Sequence, residues 1–436
     1  MRFAAACLIL MVVLPAATPA IYTSNVYTRE RFTGNYCKQQ SRDICCDDRN
    51  DDCSMDISDR TGSSLCYCDE FCNQHLPVDC CPDYVVTYEC YLPGDKCNRG
   101  CNECMCVYDT FILSELRTRY KWQCSNDPCI NDIDLIRNIN QRQYSGSFQA
   151  SEYDQFTGIK LKDGLKYFLG TILSKHQVKA QTSVISQCDT DLKYFDSRTK
   201  WAGLIHGAAD QGKCGASWAF STAGVAADRL SILSDGAYST DLSVQQMLSC
   251  SNFVSSSVAC EGGRLEDAWW WLKKQGVVSA SCYPYISGQS MQKEYCRNTI
   301  RCADGSLPNV QKMASAYRVN SSECAIKQEI LAYGPVQSTM MVKPDFFVYK
   351  SGIYASTGLA QTVPSRIDEY QGYHSVKIIG WGEENGQKYW LCVNSWGTKW
   401  GENGMFKIRR GTNECGIEDY VIGCWARVHH KRHLRV

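Results

Sequence analysis

Residues 211–220 read Gln-Gly-Lys-Cys-Gly-Ala-Ser-Trp-Ala-Phe, and the serine at position 217 opens the run SWAFSTAGVAADRLSIL. Ala, Leu and Arg fill the interior of that run, and Asp235-Gly236 closes it, which predicts a helix over 217–233. Downstream, SVKIIGWG (375–382) and KYWLCVNSW (388–396) are β-rich runs bounded by Gly and Asn. A helix early and strands late predict an α+β domain. Residues 192–424 form one apolar-rich unit long enough for a substantial core.

A cysteine peptidase needs a thiolate beside an imidazole, a third group orienting that ring, and donors for the oxyanion. Gln211-Gly212-x-Cys214-Gly215-x-Ser217-Trp218-Ala219-Phe220 resembles the nucleophile stretch of the papain family, with serine at the nucleophile position. His374, in GYHSVKIIGWG, matches the family histidine. Asn394, in NSWGTKWGENGMFKI, matches the asparagine that orients the imidazole, and Gln211 matches the side-chain oxyanion donor. The resemblance implies a papain-like, cathepsin B-like fold of two lobes over 192–424. It also implies a disulfide between Cys214 and Cys260 of ACEGG. Read alone, each residue has a plainer role. His374 is one of seven histidines, three of them in the tail HHKRH, and Asn394 can cap a turn.

The oxygen changes the chemistry. In the family the thiol stands at a helix N-terminus beside histidine, and a thiolate–imidazolium pair forms. A helix end contributes at most about 2 kcal/mol, or roughly 1.5 pKa units, which ionises a thiol but not an aliphatic hydroxyl. Serine enzymes transfer the proton during attack, with a carboxylate supporting the histidine. Here the supporting group is a neutral amide. Gln211, Ser217, His374 and Asn394 are therefore expected to be vestigial, and the domain a pseudo-peptidase. Cathepsin B-like exopeptidases also carry a histidine pair that grips a substrate carboxylate, and the corresponding stretch from Pro284 to Ser322 contains no histidine.

The chain has 436 residues, too many for one core, and its 46 Lys+Arg balance 46 Asp+Glu. No global field argues for nucleic acid or an anionic membrane. The 28 cysteines point to an oxidising compartment. Arg2, the apolar run Phe3–Leu14 and PAATPA read as a signal peptide over 1–20. A membrane anchor is the alternative, but the run is well short of the roughly 20 residues a span needs. The expectation is a secreted protein with no membrane span, and with no metal or cofactor.

Sixteen cysteines lie between Cys37 and Cys129, a stretch that disulfides must cross-link. Within 37–90, SLCYCDEFCNQHLPVDCCPDYVVTYEC resembles a somatomedin-B module, although the segment holds ten cysteines where that module has eight. Residues 97–129 resemble a von Willebrand factor C-like or EGF-like segment. Their C-x-x-C is alternatively half of a zinc site, a reading that an oxidising compartment disfavours. Residues 131–191, with Ile133, Ile136 and Ile139 at helical spacing, resemble a cathepsin B-like propeptide; an amphipathic linker helix is the plainer alternative. Residues 425–436 are a short basic tail, a heparan sulfate candidate or a solvated terminus.

ASWAFSTAGVAADR, DAWWWLKKQGVVSASCYPY and the disulfide-rich front end together resemble the tubulointerstitial nephritis antigen-like family. That resemblance implies a secreted basement-membrane glycoprotein with an inactive peptidase domain. It implies association with laminin, collagen and cell-surface receptors. Asn320-Ser321-Ser322 is a glycosylation acceptor. The eleven cysteines from Cys188 onward leave one unpaired, with Cys392 the first candidate and Cys415 the second. Two other functions fit the residues: a weak serine-nucleophile hydrolase, and a regulator of a secreted signalling ligand that captures extended segments.

Overall fold

In the computed structural model the described residues are the strand backbones of 54–59 and 62–67, together with 93–112, 117–141, 148–173, 192–251, 259–297, 301–358 and 372–427. The signal segment, most of the somatomedin-B-like stretch, Cys188 and the tail from 428 lie outside them. The chain divides into two compact units, residues 1–99 with 105–123, and residues 100–104 with 124–436.

The first unit carries an antiparallel hairpin of β1 (Ser54–Asp59) and β2 (Gly62–Tyr67). It also carries a three-stranded sheet of β3 (Lys96–Arg99), β4 (Asn102–Ile112) and β5 (Arg117–Cys124). In the second unit Cys101 pairs with Cys129 and Cys104 with Cys124, so both members of the C-x-x-C are in disulfides.

Next come α1 (Ile133–Gln141), β6 (Gln149–Ala150) and α2 (Leu161–Phe168). In α1 the buried residues are Leu135 and Ile139, while Ile133 is exposed. An i, i+3, i+6 stripe turns by about 60° per step on a 3.6-residue helix, so Ile133 has rotated off the face that Ile139 shares with Leu135.

An eight-stranded sheet dominates the rest. Its order is β11 (Ile353–Tyr354), β14 (Met405–Arg409), β13 (Gln387–Val393), β12 (Gly372–Glu384), β9 (Val336–Val342), β15 (Tyr420–Ala426) and β8 (Met313–Arg318), with β7 (Phe195–Asp196) joining β12. Both β-rich runs of the sequence are central strands. They are joined at Asn385-Gly386, both at positive φ, the dipeptide that a two-residue hairpin turn requires.

Three helices of this unit, α3 (Ser217–Leu233), α4 (Val244–Cys250) and α5 (Leu265–Lys274), build a second hydrophobic core of their own. This is the two-lobed α+β arrangement that the motifs imply. Helix α3 is buried around most of its circumference and packs on β12. Its interior charges are compensated: Asp228 meets Lys377, and Arg229 meets Glu329.

The propeptide-like segment belongs to the sheet-side core. Phe148, Phe156 and Phe168 are at most 4 % exposed and share a cluster with Phe347 and Trp396. Strand β6 pairs antiparallel with β10 (Tyr349–Ser351), and Tyr153 Oη donates to the Tyr349 carbonyl at 2.6 Å. Each buried phenylalanine contributes about 1.5–3 kcal/mol.

Candidate active site

The site begins at the first residue of α3, whose leading backbone N–H groups have no partner within the helix. The Cys214–Cys260 disulfide lies just ahead, and Gly215 N donates to the Cys260 carbonyl at 2.8 Å. Ser217 is fully buried, as are Gln211 and His374, and Asn394 is 3 % exposed. The four positions come from an extended loop, a helix start, β12 and the end of β13, and the fold brings them to one place.

The imidazole is held as a neutral ring. His374 Nε2 stands 2.7 Å from Asn394 Oδ1, which also accepts from Ser395 N. An amide oxygen only accepts, so Nε2 carries the proton and Nδ1 is bare. Nδ1 is buried with no hydrogen-bond partner. Burial pushes the pKa of His374 down to about 4, against a weaker upward pull from Asn394.

The Ser217 hydroxyl is engaged elsewhere. Its Oγ lies 3.0 Å from Thr171 Oγ1, and Thr171 Oγ1 donates to Ser375 Oγ at 2.8 Å. A hydroxyl has one proton, so Ser217 is the donor to Thr171. Ser217 Oγ accepts in turn from Ser375 N at 3.4 Å. The chain continues from Ser375 to Thr339 at 2.9 Å. Among the described residues no hydrogen bond joins Ser217 to His374.

The place of an oxyanion is occupied too. Ser217 N donates to the Leu169 carbonyl at 3.2 Å, and Gln211 Nε2 approaches the same oxygen at 3.4 Å. The Gln211 amide is aligned by Ser395 Oγ, which donates to its Oε1 at 2.6 Å, and Nε2 makes its shortest bond, 2.8 Å, to the Cys214 carbonyl. Residues 168–172 are bound along the cleft by their backbone. Trp396 Nε1 donates to Phe168 O, Gly263 N to Gly170 O, Thr171 N to Tyr373 O and Ile172 N to Gly263 O, all within 3.1 Å. Gly170 fits because it is glycine. Its φ is +111°, and a Cβ there would lie 1.9 Å from the Gly215 oxygen.

The groups that acyl transfer uses are engaged with one another differently from what that chemistry needs. The nucleophile is an alcohol whose proton faces a threonine. The base is a poorly basic imidazole supported by an amide, and the two donors that would stabilise a tetrahedral oxyanion hold a carbonyl of the same chain. Thr171, Gly170 and Ser375 escaped the sequence reading. LGT at 169–171 carries no signature of contact with residues 46 and 204 positions away.

The remaining cysteines differ from the expected count. Cys250–Cys296 and Cys282–Cys302 are disulfides, and Cys324 is disulfide-bonded. Cys392, Cys415 and Cys424 all carry free thiols, so the single odd cysteine was an undercount. Cys392 lies inside the sheet, and burial raises its pKa well above the usual range, which makes it unreactive.

This is the site of a papain-type peptidase with its nucleophile and its cleft both altered. Residues 192–424 match the papain family cysteine protease pattern. Among solved structures, proCathepsin B S9 from Trypanosoma congolense superposes with a TM-score of 0.60 at 28% identity, covering 69% of this chain and 99% of that one. The mouse protein "Tubulointerstitial nephritis antigen-like" is 38% identical over 91% of this chain and 89% of its own length. The human "Tubulointerstitial nephritis antigen" is 35% identical over 92% of this chain and 89% of its own. The chain belongs to the tubulointerstitial nephritis antigen group of the papain family. Among the described residues no helix is long and apolar enough to cross a membrane.

Proposed function

We propose that this protein is a secreted extracellular-matrix component whose cathepsin B-like domain is non-catalytic and serves as a rigid scaffold for adhesion or protein-ligand binding. The observation that carries the reading is the Ser217 hydroxyl. It donates to Thr171, while the bare Nδ1 of His374 has no partner and the Leu169 carbonyl fills the oxyanion position. The disulfides, the sequence of the front modules and the named relatives support an oxidising, extracellular setting. Asn320 is exposed at the start of the turn before residues 323–333, a position open to glycosylation. Laminin, collagen and cell-surface receptors are the proposed partners, with heparan sulfate or secreted signalling ligands as further ones. Because residues 168–172 fill the groove, partner binding is assigned to surfaces outside it.

The test has two arms. Secreted protein is incubated with a fluorophosphonate probe and a peptide library, and in parallel captured on laminin- and collagen-coated surfaces. The expected result is no labelling, no turnover and saturable capture. Labelling that disappears in Ser217→Ala would establish a serine hydrolase. Failure to bind any matrix preparation or cell surface would remove the adhesive reading.

A further inference from the structure

Beneath the filled cleft the same unit contains a cavity of about 260 Å³. One wall is the face of α3 that carries Phe220 and Gly224, and Lys377 of β12 and Asn394 line another. Leu242 and Val244 add apolar surface from the helical lobe. Asp210 and Asp241, both exposed, stand at the rim.

Three features of this cavity lack an explanation within the fold. Asn394 Oδ1 is used twice, by His374 and Ser395, yet its Nδ2 is buried with no hydrogen-bond partner. An unmade donor at that depth is destabilising unless something accepts from it. Lys377 is 4 % exposed and donates to Asp228 Oδ2 at 2.6 Å and to the His206 carbonyl at 2.9 Å. An ammonium has three N–H groups, so one is left over. Gly224 sits in the interior of a 17-residue helix, where glycine is unfavourable relative to alanine. Neither conformation nor crowding requires it, because its φ is not positive and an added Cβ would meet nothing nearer than Lys377 Nζ at 3.9 Å. What Gly224 does is keep the space beside Lys377 open.

The polarity of the cavity is graded. Its lining joins the buried Lys377 and Asn394 to the exposed carboxylates of Asp210 and Asp241, with apolar side chains among them. We propose that the cavity binds a free α-amino acid with an apolar side chain. The carboxylate points inward to the remaining N–H of Lys377, and the ammonium meets Asp210 and Asp241. The side chain rests on Phe220, Leu242 and Val244. This site is separate from any matrix-binding surface and stands whether or not the protein is adhesive.

Isothermal titration of the intact secreted protein with L-leucine, L-methionine and L-phenylalanine tests it. At least one should bind saturably at one site per chain. L-leucinamide, which lacks the carboxylate, and N-acetyl-L-leucine, which lacks the ammonium, should each bind about tenfold or more weaker than L-leucine. Gly224→Leu fills the cavity and should abolish binding while circular dichroism is unchanged. Asp210→Asn with Asp241→Asn should weaken binding about tenfold. Absence of binding tighter than about 10 mM for all three amino acids overturns the proposal. Equal binding of L-leucine and its two blocked derivatives also overturns it, and so does retained binding by folded Gly224→Leu. Should Gly224→Leu fail to fold, the blocked derivatives decide the matter on the unaltered protein.

Discussion

At the N-terminus of α3 the chain has satisfied both the hydroxyl and the N–H of Ser217 with its own residues. Two turns further along, the same helix faces a space it has left empty. Ser217 gives its proton to Thr171, accepts from Ser375 and offers its N–H to Leu169. Gly224 lines a cavity together with Lys377 and Asn394. The difference teaches that the departure from the papain-type arrangement here involves more than one atom. The cleft is closed by a segment whose aromatic side chains belong to the main core. Placing sulfur at position 217 therefore leaves the groove filled.

The sharpest way to break that comparison is to evict the segment. Gly170→Val places a Cβ against the Gly215 oxygen and forces a β-branched residue to positive φ. The expected loss is at least about 3 kcal/mol, read by denaturant unfolding. Ser217→Cys in the intact chain should show no amidase activity, because Leu169 and Gly170 still occupy the cleft. Combining it with Gly170→Val should uncover activity if the remaining machinery is sound. Turnover by the single variant would mean that the segment leaves on its own.

Acid is the next largest perturbation. The folded pKa of His374 is about 4, against 6.5 for the free side chain, so the unfolded chain takes up the proton first. The contribution of the neutral ring is fully present above pH 6.5 and is lost as pH falls toward 4. That amounts to about 3 kcal/mol. His374→Gln should flatten this part of the stability curve relative to the natural chain. An unchanged slope between those pH values would show that the ring is already charged in the folded state.

Thr171→Val tests the hydroxyl chain while keeping the shape. It removes the acceptor for Ser217 and the donor to Ser375, both in a buried setting. The expected loss is about 1–2 kcal/mol by denaturant unfolding. A change near zero would mean that Ser217 finds another acceptor, with Nδ1 of His374 the first to examine.

Much of this site was legible in the sequence because its four positions sit in stretches whose order and spacing survive the change of nucleophile. The helix over 217–233 and the strands around Ile378 and Leu391 were legible for a simpler reason, since local composition and the flanking Gly, Asn and Asp residues agree with the tertiary structure. Thr171 and Ser375 were not legible, because a hydroxyl pair between a loop and a strand is set by how the segment docks. The spacing of Ile133, Ile136 and Ile139 marked the helix but not its buried edge, because a short apolar stripe fixes a helix more firmly than it fixes which edge is buried. The free thiols misled because parity gives a minimum number of unpaired cysteines, whereas pairing depends on which sulfurs the sheet keeps apart. The cavity left no trace beyond Gly224, since a space has no residues of its own.

Gly224→Ala carries the smallest expected effect and tests the open half of the comparison most directly. Alanine is the better helix residue, and its Cβ has room, with the nearest heavy atom 3.9 Å away. If nothing but helix energetics acts at this position, the variant should be more stable by about 0.5–1 kcal/mol, measured by thermal and denaturant unfolding in buffer free of amino acids. Repeating the melt with saturating L-leucine separates two causes for the glycine. A ligand that needs the space will raise the melting temperature of the natural chain more than that of the alanine variant, which narrows or reverses the difference between them. An identical shift in both would mean that the methyl group does not intrude on the ligand. The glycine would then need another explanation.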